Sequence, residues 1–258
     1  MPRLDDDLGH PLLLERTPSR VVSLVPSLTE ALAATVPARL VGATEWCTHP
    51  AGLDVTRVRG TKNPDHGAIS RLLPDLVVAN QEENRSTDVE RLRAAGVPVW
   101  VTVVESVDQA LRSMRRLFVE VLGVAEPDWL VAADTEWSRP PEVPPAGVIA
   151  PIWRDPWMAV GSRTFSGDIL ARLGLSHLLA DAGDRYPKLD LGALVAMDPD
   201  LVLLPDEPYP FSAEDGPEAF PGIATSLVSG RSLTWYGPAM VTARAELEDR
   251  INVALATG

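Results

Sequence analysis

A chain of 258 residues carrying a formal charge of −13 can form one large domain or two small ones, and its acidity argues against nucleic acid or anionic membrane as a partner, because phosphate binding needs clustered Lys and Arg. A single cysteine, Cys47, excludes an internal disulfide, and no apolar run approaches the ~20 residues that cross a bilayer. The acidic start, Met1-Pro-Arg-Leu-Asp-Asp-Asp-Leu-Gly-His10, lacks the apolar core of a signal peptide; this points to the cytoplasm, with export the alternative if a leader has been removed.

In chain order, Val21 to Val25 reads as a short apolar strand. Pro26-Ser-Leu-Thr-Glu30 follows, with Ser27 as the expected N-cap and Glu30 three residues on, before a helix to about Thr35. Further strands are expected at Leu40–Ala43, Leu76–Ala79 and Val99–Val103, with helices over about 66–72 and 87–95, the second stopped by Gly96. Ser106–Leu122 is amphipathic, its apolar face formed by Val107, Leu111, Met114, Leu117, Phe118 and Val121. Pro127 then opens a helix of about eleven residues that ends before Arg139-Pro-Pro-Glu-Val-Pro-Pro145, an extended and stiff boundary. Val148–Ile152 is the next strand, followed by Val160-Gly-Ser162, a helix from about Thr164 to Leu173, the strand Leu201–Leu204 and a final helix from about Ala239 to Leu255.

One segment is written twice. Gly67-Ala-Ile-Ser-Arg-Leu-Leu-Pro-Asp-Leu-Val-Val-Ala-Asn-Gln-Glu82 returns 125 residues later as Gly192-Ala-Leu-Val-Ala-Met-Asp-Pro-Asp-Leu-Val-Leu-Leu-Pro-Asp-Glu207, with seven of sixteen positions identical. Each copy reads as a helix end, a Pro-Asp turn, a buried strand and a polar loop. Copies this far apart imply two similar α/β lobes with mostly parallel sheets and a cleft between them.

The chemistry-bearing residues fall on strand-end loops. Trp46, Trp153, Trp157 and Trp235, with Tyr209 and Tyr236, can bind a flat apolar ligand by stacking, or plug the lobe cores. Lys62 and Arg154 offer positive charge for carboxylates or phosphates, and Glu82, Glu83 and Glu207 can accept from amides or cations; surface ion pairs are the alternative. Cys47-Thr-His49 with His66 is too loosely spaced for a structural zinc site, which leaves an axial ligand to a bound chelate, or helix capping by His66. There is no Gly-x-Ser-x-Gly elbow, phosphate loop or dinucleotide fingerprint, so no catalytic residue is expected, and Cys47 near His49 is poor geometry for a nucleophile and base.

These features together resemble the class III, helical-backbone substrate-binding proteins of ABC transporters, which include cobalamin, haem and ferric-siderophore binders. The resemblance rests on Arg20-Val-Val-Ser-Leu-Val-Pro-Ser-Leu-Thr-Glu30, the two Pro-Asp-Leu-Val strands, Val160-Gly-Ser162 and Leu233-Thr-Trp-Tyr236, in family order over about residues 19–258. It is nearest in pattern to the cobalamin branch, and within it to a less characterised group carrying Gly60-Thr-Lys-Asn63, Trp153-Arg-Asp-Pro156 and Glu207-Pro-Tyr-Pro-Phe211. The resemblance implies ligand positions at Pro26, Ser27, Trp46, Thr61, Lys62, Asn80, Gln81, Trp157, Tyr186, Trp235 and Tyr236. It also places Gly67 and Gly192 where the family carries the glutamates that dock on the permease. The expected organisation is an N-terminal extension (1–18), an N-terminal lobe (19–106), connecting helices with the Pro-rich linker (107–145) and a C-terminal lobe (146–258). The expected function is non-catalytic capture of a corrinoid or other bulky metal chelate, with no intrinsic cofactor or protein metal site. With both docking acids replaced, the role reads as a cytoplasmic carrier or sensor; an exported importer component and a cytoplasmic enzyme on the same fold are the alternatives.

Overall fold

Each copy of the repeated segment builds the centre of a parallel sheet. The computed structural model describes residues 4–257, and in it the strands Leu76–Asn80 and Leu201–Pro205 are buried along their whole length. Both open on an unbroken run of Leu and Val, as a strand covered on two faces requires. The turns entering them match as well. Leu73 and Asp198, at equivalent positions, both take left-handed backbone (φ 47° and 53°), and a Pro-Asp pair follows each. Asp75 accepts from the backbone nitrogens of Ser19 and Arg20 and from the Ser19 hydroxyl. Asp200 accepts from the Gly147 nitrogen at 2.6 Å. In each copy the aspartate thus ties the entrance of its strand to the entrance of its neighbour.

The chain divides into two units. One takes residues up to Val104, Asp108–Ala133 and Tyr236–Pro238; the other takes Glu105–Val107, Asp134–Trp235 and the chain from Ala239 on. The helix Asp128–Trp137 is shared between them.

The first unit holds a five-stranded, all-parallel sheet in the order Thr56–Arg57, Leu40–Ala43, Val21–Ser23, Leu76–Asn80, Val99–Thr102. Val22, Leu24, Val77, Ala79 and Val101 pack with Ile69, Val89 and Leu92 from the helices His66–Arg71 and Ser86–Ala94. The amphipathic run forms the α-helix Val107–Arg115 and continues in wider turns over Arg116–Val121. All six residues of its expected apolar face are buried. The short strands Leu4–Asp5 and Pro11–Leu12 pair with each other. The chain between them guards the sheet's edge: Asp6 accepts from the Val101 nitrogen and pairs with Arg93, and Asp7 accepts from Val103 and pairs with Arg116.

The second unit has a four-stranded parallel sheet, Ser176–His177, Gly147–Ile149, Leu201–Pro205, Ala224–Val228. The expected strand 148–152 is divided. Gly147–Ile149 joins the sheet, whereas Pro151–Trp153 turns out to pair antiparallel with Met158–Ala159, since Pro151 has no N–H to continue a ladder. The final helix, Met240–Thr257, buries Arg244 completely. Its guanidinium pairs with Glu248 and donates to the carbonyls of Glu136, Arg139 and Pro140, which fastens the start of the proline-rich stretch to this unit.

Candidate functional site

An open parallel sheet has one crevice at the carboxyl ends of its strands, where the strand order reverses and the two following loops diverge. Numbered along the chain, the first sheet runs 3-2-1-4-5 and the second 2-1-3-4. The reversal falls between Val21–Ser23 and Leu76–Asn80 in the first unit, and between Gly147–Ile149 and Leu201–Pro205 in the second. The loops leaving these strands carry Pro26, Ser27 and Asn80 to Glu83 in one unit, and Trp153, Arg154, Asp206 and Glu207 in the other.

In the first unit most of the predicted polar groups are structural. Pro26 starts the helix Pro26–Thr35, and the N-cap is Val25. Ser27 is therefore inside the first turn and buried rather than the cap, because proline's fixed φ already suits the first helical position. Asn80 is buried: its amide donates to Thr102, and its carbonyl accepts from the nitrogens of Glu82 and Glu83. Asn84, which the sequence did not single out, accepts from the Asn80 nitrogen and donates to the carbonyls of Leu24 and Thr61. It locks three loops at the crevice together. Tyr236 enters this unit from near the far end of the chain. Burial, with Glu83 nearby, pushes its hydroxyl pKa far above the usual value, against hydrogen bonding to Thr102 and Ser27.

What remains presented to solvent in this unit is Trp46, 67% exposed, with Gln81, Lys62 and the half-buried Thr61 and Glu82. The Trp46 indole nitrogen lies 3.2 Å from where a Gly60 Cβ would sit, so the ring rests its edge on bare backbone. Lys62 donates to the Glu82 carbonyl and bridges the two loops.

In the second unit an aromatic group covers the loops. Trp157 and Phe211 stack at 6.0 Å, and Trp157 meets Phe220 edge-on. All three are core residues, so Trp157 plugs the unit rather than facing outward. Trp153 is exposed and meets Tyr209 edge-on at 5.7 Å. Arg154 lies over the Trp157 ring at 5.3 Å and pairs with both Asp215 and Glu218. These are the surface ion pairs that stood as the alternative for Arg154, and both engage its Nη1. Hydrogen bonding and charge from Glu218 raise the Arg154 pKa, while Arg154 lowers that of Glu218. Tyr209 donates to Asp215 at 2.6 Å, which raises its pKa.

Glu207 is half-buried against Gly230, at the start of the helix Gly230–Thr234, and Asp206 accepts from the Gly230 nitrogen at 2.7 Å. Trp235 is buried, with Arg231 over its ring at 5.8 Å. Tyr186 is half-buried on a loop that accepts, through the Arg185 carbonyl, from Gly161 at 2.8 Å.

The Cys47 sulfur sits 3.0 Å and 3.1 Å from the Thr29 and Thr44 hydroxyls, wholly buried. Burial raises its pKa despite those bonds, so the thiol stays protonated and is no nucleophile. His66 pairs with Asp88 at 3.1 Å, and Asp65, not His66, caps its helix through the Ala68 nitrogen. His177 contacts the Val160 carbonyl at 3.0 Å, and burial lowers its pKa. Among the described residues, no three His, Cys, Asp or Glu side chains converge on a metal position, and no helix is long and apolar enough to cross a membrane. Gly67 and Gly192 are exposed on their short helices.

No family model matches the chain. The vitamin B12-binding protein of Pectobacterium atrosepticum is 23% identical over 200 residues, spanning 72% of this chain and 71% of that protein. Among solved structures, the periplasmic vitamin B12 binding protein BtuF of Vibrio cholerae superposes with a TM-score of 0.76 at 16% identity, covering 92% of this chain and 98% of its own. The periplasmic heme-binding protein RhuT from Roseiflexus sp. RS-1 gives 0.75 at 21%, covering 92% and 99%. The α/β fold expected from the sequence is the fold of these two solved structures.

Proposed function

We propose that this protein captures a bulky metal chelate of the corrinoid, haem or siderophore kind, without chemistry, and hands it on as the binding component of an importer. The observation that carries the reading is an exposed indole at the carboxyl end of the sheet in each unit, within a fold shared with solved proteins named for binding vitamin B12 and haem. Trp46 in one unit and Trp153 in the other stand exposed at strand ends whose loops are held by Asn80, Asn84 and Arg154. Large exposed indoles next to a rigid network favour ligand capture by burial of apolar area, with little loop ordering to offset the gain.

The importer role is better supported than the cytoplasmic carrier, because the relatives compared above are named binding proteins and the two structural neighbours are named periplasmic. Gly67 and Gly192 offer no carboxylate, so docking on a permease would use other surface residues. Catalysis finds no support in the buried Cys47.

Equilibrium dialysis against a cobalamin, haem and a ferric siderophore, followed by the visible absorption of each chelate, tests this. Binding of at least one at micromolar concentration or tighter is expected. No binding of any would refute capture of this ligand class.

A further inference from the structure

The charge arrangement around Arg154 bears on which chelate is taken, and the inference rests on the capture role proposed above. Arg154 is the arginine on the Trp153 loop, and two carboxylates hold it, Asp215 and Glu218. Asp215 also accepts the Tyr209 hydroxyl, and Asp155 adds a further negative charge felt at Tyr209. The platform made by Trp153 and Tyr209 is thus backed by one guanidinium and three carboxylates. A guanidinium receives a ligand carboxylate best through its paired N–H donors; here one of its nitrogens, Nη1, is shared by acids 61 and 64 residues away in sequence, whose charges outnumber its own. In the first unit, Lys62 spends a donor on the Glu82 carbonyl, beside the carboxylates of Glu82 and Glu83. Elsewhere on the second unit's loops, Arg163 is exposed, Arg185 pairs with Glu105 and Arg231 lies over the Trp235 ring.

We infer that the Arg154–Asp215–Glu218 network selects a chelate whose rim is neutral or positively charged, such as an amide-rimmed corrinoid, and disfavours one rimmed by carboxylates. Stacking on Trp153 supplies affinity for either ring, and the carboxylates behind it discriminate between rims. Amide N–H groups on the ligand find acceptors in the same acids, whereas ligand carboxylates meet like charge that solvent and salt screen.

Ferric haem and its dimethyl ester have the same ring and metal and differ only in two carboxylates. Titrating both, in the same dilute detergent, together with an amide-rimmed corrinoid, isolates rim charge from stacking. The ester and the corrinoid should bind on the order of tenfold tighter than haem, with the gap narrowing as salt is added. The Asp215→Asn/Glu218→Gln variant, which releases Arg154, should bind haem on the order of tenfold tighter than the wild type does, with ester binding unchanged. Haem binding as tightly as its ester in the wild type overturns the inference and leaves the capture role standing; so does a folded variant with an unaltered haem-to-ester ratio. If that variant does not fold, the wild-type ratio alone decides. Failure of all three probes to bind overturns this inference, and the capture role falls with it if the ferric siderophore also fails to bind in the dialysis above.

Discussion

Gly230 and Gly192 form a matched pair for testing how the strand-end loops are held. Replacing Gly230 with alanine would place its Cβ 2.3 Å from the Glu207 Cγ, 2.6 Å from the Glu207 carbonyl oxygen and 2.9 Å from its nitrogen. The last two are backbone atoms, so a rotamer change cannot relieve them and the 206–208 loop must move. That movement stretches the 2.7 Å bond from the Gly230 nitrogen to Asp206. Overpacking of this kind costs about 1–3 kcal/mol, offset by up to ~1 kcal/mol from the better helix propensity of alanine. The net loss of about 1–2 kcal/mol corresponds to a fall of roughly 5 °C in Tm for a chain of this size. Gly192 is also helical, but a Cβ there meets nothing within 4 Å. Gly192→Ala should stabilise by about 0.5–1 kcal/mol and raise Tm by ~2 °C. Thermal denaturation of both variants beside the wild type gives the comparison. A Gly230→Ala protein that melts at or above the wild-type temperature would refute the packing of Glu207 on Gly230.

Arg244→Ala strands the buried Glu248 and three carbonyls, and urea unfolding should show a loss of about 3–5 kcal/mol, most of it recovered in Arg244→Met/Glu248→Leu. Burial alone would raise the Asp75 pKa, but hydrogen bonds from Ser19 and Arg16 outweigh it and the carboxyl titrates below its ordinary value. A depressed carboxylate stabilises the fold above the unfolded aspartate pKa and loses that contribution as pH falls through the folded value. Asp75→Asn should therefore be less stable than the wild type at pH 7, by about 1–3 kcal/mol, with the deficit closing in chemical denaturation below about pH 4. Leu73 is exposed at a φ of 47°, so Leu73→Asn should raise Tm by about 2 °C, since asparagine takes left-handed backbone more readily.

The alternation of short apolar strands with amphipathic helices made both parallel sheets legible, and the repeat marked their central strands. Less legible was the edge strand Ala224–Val228, which went unread because Thr225 and Ser226 interrupt its apolar run. The hairpin Pro151–Trp153 with Met158–Ala159 was hidden inside what looks like one strand. At the candidate site, residue type and loop position brought the right segments forward but did not separate Trp46 and Trp153, which are exposed, from Trp157 and Trp235, which are buried. Inward or outward direction in an irregular loop depends on what packs beneath it, and for Trp157 that is Phe211 and Phe220, more than fifty residues on. The particular ion pairs of Arg154 were illegible for the same reason, since its acidic partners lie as distant in sequence. Asn84 carried no signal beyond being an asparagine near the end of the repeat.

The most direct measurement is a titration of intrinsic tryptophan fluorescence with an amide-rimmed corrinoid, comparing the wild type with Trp46→Ala/Trp153→Ala. Saturable quenching at micromolar concentration or tighter is predicted for the wild type. The double variant should keep its Tm and bind about ten- to a hundredfold more weakly, since each exposed ring contributes on the order of 1 kcal/mol beyond its buried area. An absence of saturable binding in the wild type, or equal affinity in the two proteins, would contradict capture by these exposed aromatics.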